Sequence, residues 1–194
     1  MRALYDFVVR VENLFDTEVT NSKSGLIRDT RWDDFEGRVP FGEVVCVPEK
    51  FDTPAEVGDT LLFHHHVSQE PEKYSMGEDL YRVSYDPHNY QGQSYCVIKG
   101  DGSVHMLGDW IFLVAYDVDT NEEVLTDDGI FLGHKASELK REAVVYCEGK
   151  GTESVGVNKG DTVGFVKNAD YELLLPNGDK VYRCKPDDLE YVLL

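Results

Sequence analysis

At 194 residues the chain can hold one domain or two small ones. Its 41% hydrophobic and 11% aromatic content supports a buried core and excludes compositional disorder. With 37 acidic against 19 basic residues the formal charge is −18, a field that repels nucleic acid, and no apolar stretch reaches membrane-spanning length.

The chain opens on alternation at residues 5–11, with Tyr5, Phe7, Val9 and Val11 sharing one face of a strand. That opening has neither the apolar run of a signal peptide nor the Arg/Ser-rich, acid-poor character of a transit peptide. A cytoplasmic protein is expected, in a bacterium or a virus-infected cell, or in an organelle if a transit peptide has been removed. A long polar stretch follows at residues 14–36 and carries Gly25, Leu26 and Ile27. Short β-rich runs at 44–47, 60–63, 80–85 and 95–98 are bounded by Gly, Pro or acidic residues.

The second half begins with an apolar strand at 110–116 and another polar stretch at 118–140. Within that stretch Ile130-Phe131-Leu132 stands between Asp127-Asp128-Gly129 and Gly133-His134. Such a tripeptide is either a buried strand or a partner-binding element, because exposed apolar surface otherwise invites aggregation. Further strands are predicted at 143–147, 162–166, 171–175, 181–184 and 189–194, with Asn177-Gly178 as a hairpin turn tolerant of positive φ. Residues 136–141 give a helical piece too short to matter. The fold class is all-β, a small barrel or sandwich of many short strands. Cys46, Cys96, Cys147 and Cys184 form no C-x-x-C pair and sit in strand-like surroundings, so buried free thiols are expected.

Four echoes recur in the same order and argue for a tandem duplication. Leu4-Tyr5-Asp6-Phe7-Val8-Val9 returns as Leu107-Gly108-Asp109-Trp110-Ile111-Phe112, and Ser24-Gly25-Leu26-Ile27 as Asp128-Gly129-Ile130-Phe131. Glu43-Val44-Val45-Cys46 returns as Ala143-Val144-Val145-Tyr146-Cys147, each followed by a turn, Gly58-Asp59-Thr60 or Gly160-Asp161-Thr162. The last echo matches Tyr95-Cys96 with Tyr182-Arg183-Cys184. The division falls between residues 1–106 and 107–194, and residues 64–93 read as an elaborated insertion in the first half.

This order resembles the GroES-like co-chaperonins (the chaperonin-10 family) in a tandem-repeat form. The family's first strand reads like LHDRVIVK, similar to LYDFVVRV and LGDWIFLV here, and its mobile loop ends in GGIVL, similar to Asp128-Gly129-Ile130-Phe131-Leu132. Its VGDIVIF strand resembles Val57-Gly58-Asp59-Thr60-Leu61-Leu62-Phe63 and Lys159-Gly160-Asp161-Thr162-Val163-Gly164-Phe165. The closing DILAIV resembles Asp188-Leu189-Glu190-Tyr191-Val192. The resemblance implies two tandem GroES-like small β-barrels with long mobile loops. It implies a non-enzymatic co-chaperonin that caps an ATP-bound GroEL-type chaperonin ring and assists folding of non-native proteins, without cofactor, nucleic acid or membrane.

On the same resemblance, Gly25, Leu26 and Ile27 in one loop and Gly129, Ile130, Phe131 and Leu132 in the other contact the chaperonin. A polar loop lowers affinity through its ordering entropy, which the apolar side chains offset on docking, and a ring of loops multiplies weak contacts. The first loop departs from the pattern at Arg28, where a third apolar residue would stand. A homo-oligomeric ring is implied too, its interface formed by Leu189, Tyr191, Val192 and Leu193 of one chain against Tyr5, Phe7 and Val9 of the next.

One further constellation competes. His64-His65-His66 places His64 and His66 on one strand face, as in a cupin-like metal-binding enzyme with Glu70 and His105 as further ligands. The spacing to Glu70 and His105 is poor, and a polar strand end leading into a loop is the preferred reading, with no metal. Acidic clusters at Asp33-Asp34 and Asp127-Asp128 lack EF-hand spacing.

Overall fold

The computed structural model describes residues 1–14, 18–20, 27–29, 38–88, 92–115, 123–125, 131–134, 141–167, 169 and 171–193. The chain is mostly β. In the first half the strands are β1 (Phe7–Arg10), β2 (Glu18–Thr20), β3 (Ile27–Asp29), β4 (Phe41–Cys46), β5 (Thr60–Phe63), β6 (Ser75–Gly77), β7 (Leu80–Val83), β8 (Ser94–Ile98) and β9 (Val104–Met106). The second half contributes β10 (Ile111–Ala115), β11 (Glu123–Leu125), β12 (Phe131–His134), β13 (Glu142–Val145), β14 (Thr162–Phe165), β15 (Tyr171–Leu174), β16 (Lys180–Cys184) and β17 (Leu189–Leu193). Helices are short: α1 (His66–Gln69), α2 (Pro71–Tyr74) and α3 (Lys150–Val155). No helix among the described residues is long and apolar enough to cross a membrane.

Two antiparallel sheets result. The first runs β6-β7-β1-β4-β5-β8-β9 and the second β15-β16-β10-β13-β14-β17. Six strands therefore follow the same spatial order in each sheet, with β9 added at one edge of the first. The hairpins β2–β3 and β11–β12 stand apart as two-stranded units, each inserted between the first two strands of its own repeat.

Hydrogen bonds fix the correspondence between repeats residue by residue. The Val44 N–H donates to the Asp59 carbonyl (2.8 Å) as Val145 does to Asp161 (2.9 Å), and the Phe63 N–H donates to Pro40 as Phe165 does to Arg141. Asp59 and Asp161 each fold their carboxylate back onto the backbone N–H three residues earlier, of Glu56 and Asn158. The glycine before each aspartate takes φ +94° or +93°, which L-residues with a Cβ resist. Two equally strained turns at equivalent places explain why Gly-Asp-Thr occurs twice.

The same register corrects three sequence expectations. Val9 pairs with Val44 and Leu113 with Val145, so Phe7 corresponds to Ile111 and the Asp6–Asp109 echo is one residue out of phase. Cys96 lies on β8 and Cys184 on β16, which are not equivalent strands; only Cys46 and Cys147 correspond. Residues 64–93 are not simply an insertion, since β6–β7 is the counterpart of β15–β16, and the additional elements are α1 and α2. The helical piece at 136–141 lies largely outside the described residues.

Alternation places the cores. Phe7, Val9, Val11, Leu61, Phe63, Val83 and Val97 fill the first, and Ile111, Leu113, Val145, Val163 and Cys184 fill the third of three buried clusters. Each large apolar side chain sealed there contributes about 1.5–3 kcal/mol. Tyr5, expected on that same face, is exposed and meets the Phe51 ring edge-on at 6.2 Å. Cys96, Cys147 and Cys184 are buried free thiols, those of Cys147 and Cys184 pushed up to about 12 by burial, and Cys46 is free and half-buried.

Close packing at the β1–β4 pair yields a direct test. A Cβ on Gly42 would lie 2.6 Å from the Arg10 carbonyl oxygen and 2.8 Å from a Val11 methyl carbon. The second repeat places Ala143 opposite Ala115 at the equivalent register. Gly42→Ala is expected to cost about 1–3 kcal/mol in urea denaturation. Adding Val11→Ala should restore part of that loss, and strictly additive losses would refute the packing account.

Candidate functional site at the seam between the repeats

Between the two sheets lies the second buried cluster, and it is built from residues of both halves. Leu62, Tyr95 and Cys96 come from β5 and β8; Trp110, Phe112, Cys147, Leu173, Leu175 and Val181 come from the second repeat. Alternation supplies both faces of each strand. In β5, Leu61 and Phe63 point into the first core while Leu62 points into the seam; in β10, Ile111 and Leu113 point into their own core while Phe112 faces Leu62's cluster. Leu61-Leu62-Phe63 and Ile-Phe-Leu-Val are continuously apolar because both of their faces are covered.

At one end of the seam Arg183 of β16 enters a cage of three rings. Its guanidinium carbon lies 4.1 Å from the Trp110 ring centroid, 4.7 Å from that of Tyr171 and 4.8 Å from that of Tyr95. Nη1 also donates to the Tyr95 hydroxyl at 2.7 Å. Arg183 Nε is buried without a hydrogen-bond partner among the described residues, so ring faces supply most of its compensation. Each cation–π contact of this kind is worth roughly 0.5–2 kcal/mol. A cleft of about 310 Å³ opens beside the cage, lined by Trp110, Val166, Lys167, Ala169, Arg183, Cys184, Lys185 and Asp188.

His64, His65 and His66 adjoin this cage. Their ring centroids are 4.1–4.6 Å apart, and one nitrogen from each lies within 4.8 Å of the others. His64 follows β5, His65 is helical in backbone and His66 begins α1, so the tight turn converges three consecutive side chains that a strand would splay. His65 Nδ1 hydrogen-bonds the Tyr171 hydroxyl, and the two rings stack at 12°. The His66 N–H donates to His64 Nδ1 at 3.2 Å. Burial, then the neighbouring imidazoles and Arg183, hold His64 down to about 3. Burial, then His66, Arg183 and Arg38, hold His65 down to about 4. Both rings are neutral at pH 7. The further metal ligands considered from the sequence do not join them: Glu70 pairs with Lys73 at 3.2 Å, and His105 contacts Ser103 Oγ at 3.2 Å.

The remaining site residues of the sequence reading fall in three places. Gly25, Leu26, Gly129 and Ile130 lie outside the described residues. Ile27 opens β3, and Phe131 and Leu132 open β12, where Phe131 pairs with Leu125 across the hairpin. Tyr191, Val192 and Leu193 are exposed on β17, an edge strand, and Leu189 is half-buried.

The strand expected to receive them is different. β1 is flanked by β4 and β7, and Phe7 and Val9 are fully buried, so that strand has no edge to offer. Alternation alone marks a strand but says nothing of its position within a sheet. Arg183, Tyr171, Trp110 and Tyr95 carried no signal in the sequence, since 88 residues separate Arg183 from Tyr95. No protein-family model matches the chain, and no curated protein sequence matches it either.

The imidazoles make the seam sensitive to acid. An unfolded chain takes up protons on His64 and His65 below about pH 6.5, whereas the folded chain resists until about 3 at His64 and about 4 at His65. Stability present at neutral pH is therefore lost as pH falls from about 6.5 toward these lower values. In metal-free buffer, His64→Asn should flatten the pH dependence of the denaturation midpoint across that window. An unchanged slope would show that the ring is not desolvated.

Proposed function

We propose that this chain is a GroES-type co-chaperonin: a non-enzymatic lid that caps an ATP-bound GroEL-type chaperonin and assists folding of non-native proteins held beneath it. One observation carries the reading. The same six-strand order occurs twice, and each copy bears a separate hairpin arm inserted at the same point of the chain. The arms carry Gly25-Leu26-Ile27 and Gly129-Ile130-Phe131-Leu132, the segments that resemble the family's chaperonin-binding loop. In this reading each sheet curls into a small barrel, the arms project toward the chaperonin, and the whole acts in the cytoplasm without cofactor, nucleic acid or membrane.

The ring assembly follows from the chain's own inter-repeat junction. β9, the last strand before the second repeat begins, adds to the edge of β8. β17 is the counterpart of β8, and its outer edge carries no strand among the described residues. Residues 1–3 precede β1 roughly as β9 precedes β10, and they replace the buried β1 as the segment a neighbour's β17 would receive. Repeating this head-to-tail contact from chain to chain closes a ring when the rotation permits.

The second arm has the fuller apolar anchor, since Arg28 stands where the first would offer a third apolar residue. With ATP present, Phe131→Asp is expected to weaken chaperonin binding by at least about tenfold, since burying a carboxylate in an apolar groove is costly. Ile27→Asp should weaken it less, both measured by surface plasmon resonance. A wild-type chain that neither binds an ATP-loaded chaperonin nor alters its ATP turnover would overturn the reading.

A further inference from the structure

We propose that His64, His65 and His66 form a binding site for one divalent ion of the zinc, nickel and copper class at the seam between the repeats. The inference is independent of the chaperonin reading. Two observations lead to it. One nitrogen from each ring already lies within 4.8 Å of the other two. Metal–imidazole bonds of about 2.0–2.1 Å would bring those nitrogens to about 3.3 Å apart, a closure that small side-chain rotations supply. The exposed His66 leaves the cluster open to solvent on one side, giving an ion its way in.

The surroundings fit a ligating role. His65 Nδ1 is held by Tyr171, which fixes the ring plane and, with Nδ1–H donating, leaves Nε2 as the lone-pair nitrogen. Coordination by His64 through Nδ1 would displace the weak bond that this atom accepts from the His66 N–H at 3.2 Å.

Charge then selects the ion. The triad contains no carboxylate, and the positive charges of Arg183 and Arg38 act at His65, where they would repel a bound cation. Hard ions such as magnesium and calcium require oxygen donors and would gain nothing to offset that repulsion. Ions that bond strongly to imidazole can overcome it. Bound there, an ion ties the end of β5 to the first turn of α1. Through the His65–Tyr171 contact it also braces the second repeat against the first.

The test uses the full chain stripped with chelator and titrated with cobalt(II) and zinc(II) chloride. One cobalt per chain should bind with visible absorption, and zinc should raise the thermal midpoint, because a ligand specific to the folded state stabilises it. His66→Gln, at an exposed position, should keep its far-UV circular dichroism yet lose at least about tenfold in zinc affinity and most of the midpoint rise. Two results overturn the proposal. One is wild-type zinc binding no tighter than that of His66→Gln, including no binding in either. The other is loss of binding on His88→Gln or His105→Gln instead.

Discussion

Everything in this molecule depends on strands that are apolar on both faces. A sheet covered on one side needs only alternation; β5, β8, β10 and β16 instead carry Leu62, Cys96, Phe112 and Val181 on the face opposite their own core. Left exposed, that face would be a contiguous apolar patch of the kind that drives association. Burial of one repeat's second face against the other's removes it from water, and the two sheets thereby share a third core. Arg183, with Trp110 and Tyr171 of its own repeat and Tyr95 of the first, closes one end of this shared layer.

The two repeats are not equivalent at this layer. Leu62 and Cys96 face each other across β5 and β8 and are buried in the seam. Their counterparts are Gly164 and Tyr191, where the tyrosine ring lies over the glycine and remains 44% exposed. The first repeat thus has its outer β5–β8 face buried within the chain, and the matching face of the second is covered by the Tyr191 ring, whose hydroxyl donates to Glu142 Oε1 at 3.2 Å. An aromatic ring across a glycine shields backbone without committing the face to a permanent partner.

Much of the fold was legible because strand signals are local. Alternation and turn residues located the strands, and the repeated Gly-Asp-Thr was legible as a turn because both glycines must adopt positive φ. Phase was harder. A run such as Trp110-Ile111-Phe112-Leu113 is apolar at every position, so nothing in it marks which residue points inward, and the echo was set one residue off. Position within a sheet was harder still, since Phe7 and Val9 look the same in an edge strand as in a central one. The histidines were visible as a run, but their convergence depends on a turn that pattern reasoning read as strand. The arginine cage was not legible at all, because its members are brought together only when the repeats dock.

The central claim is that the seam makes two repeats one cooperative unit, and hydrogen exchange as a function of urea tests it most directly. Peptides spanning β5 and β8 should open with the same free energy, and the same urea dependence, as peptides spanning β10 and β16. A second repeat whose strands exchange through a separate, lower-energy opening while the first stays protected would contradict it.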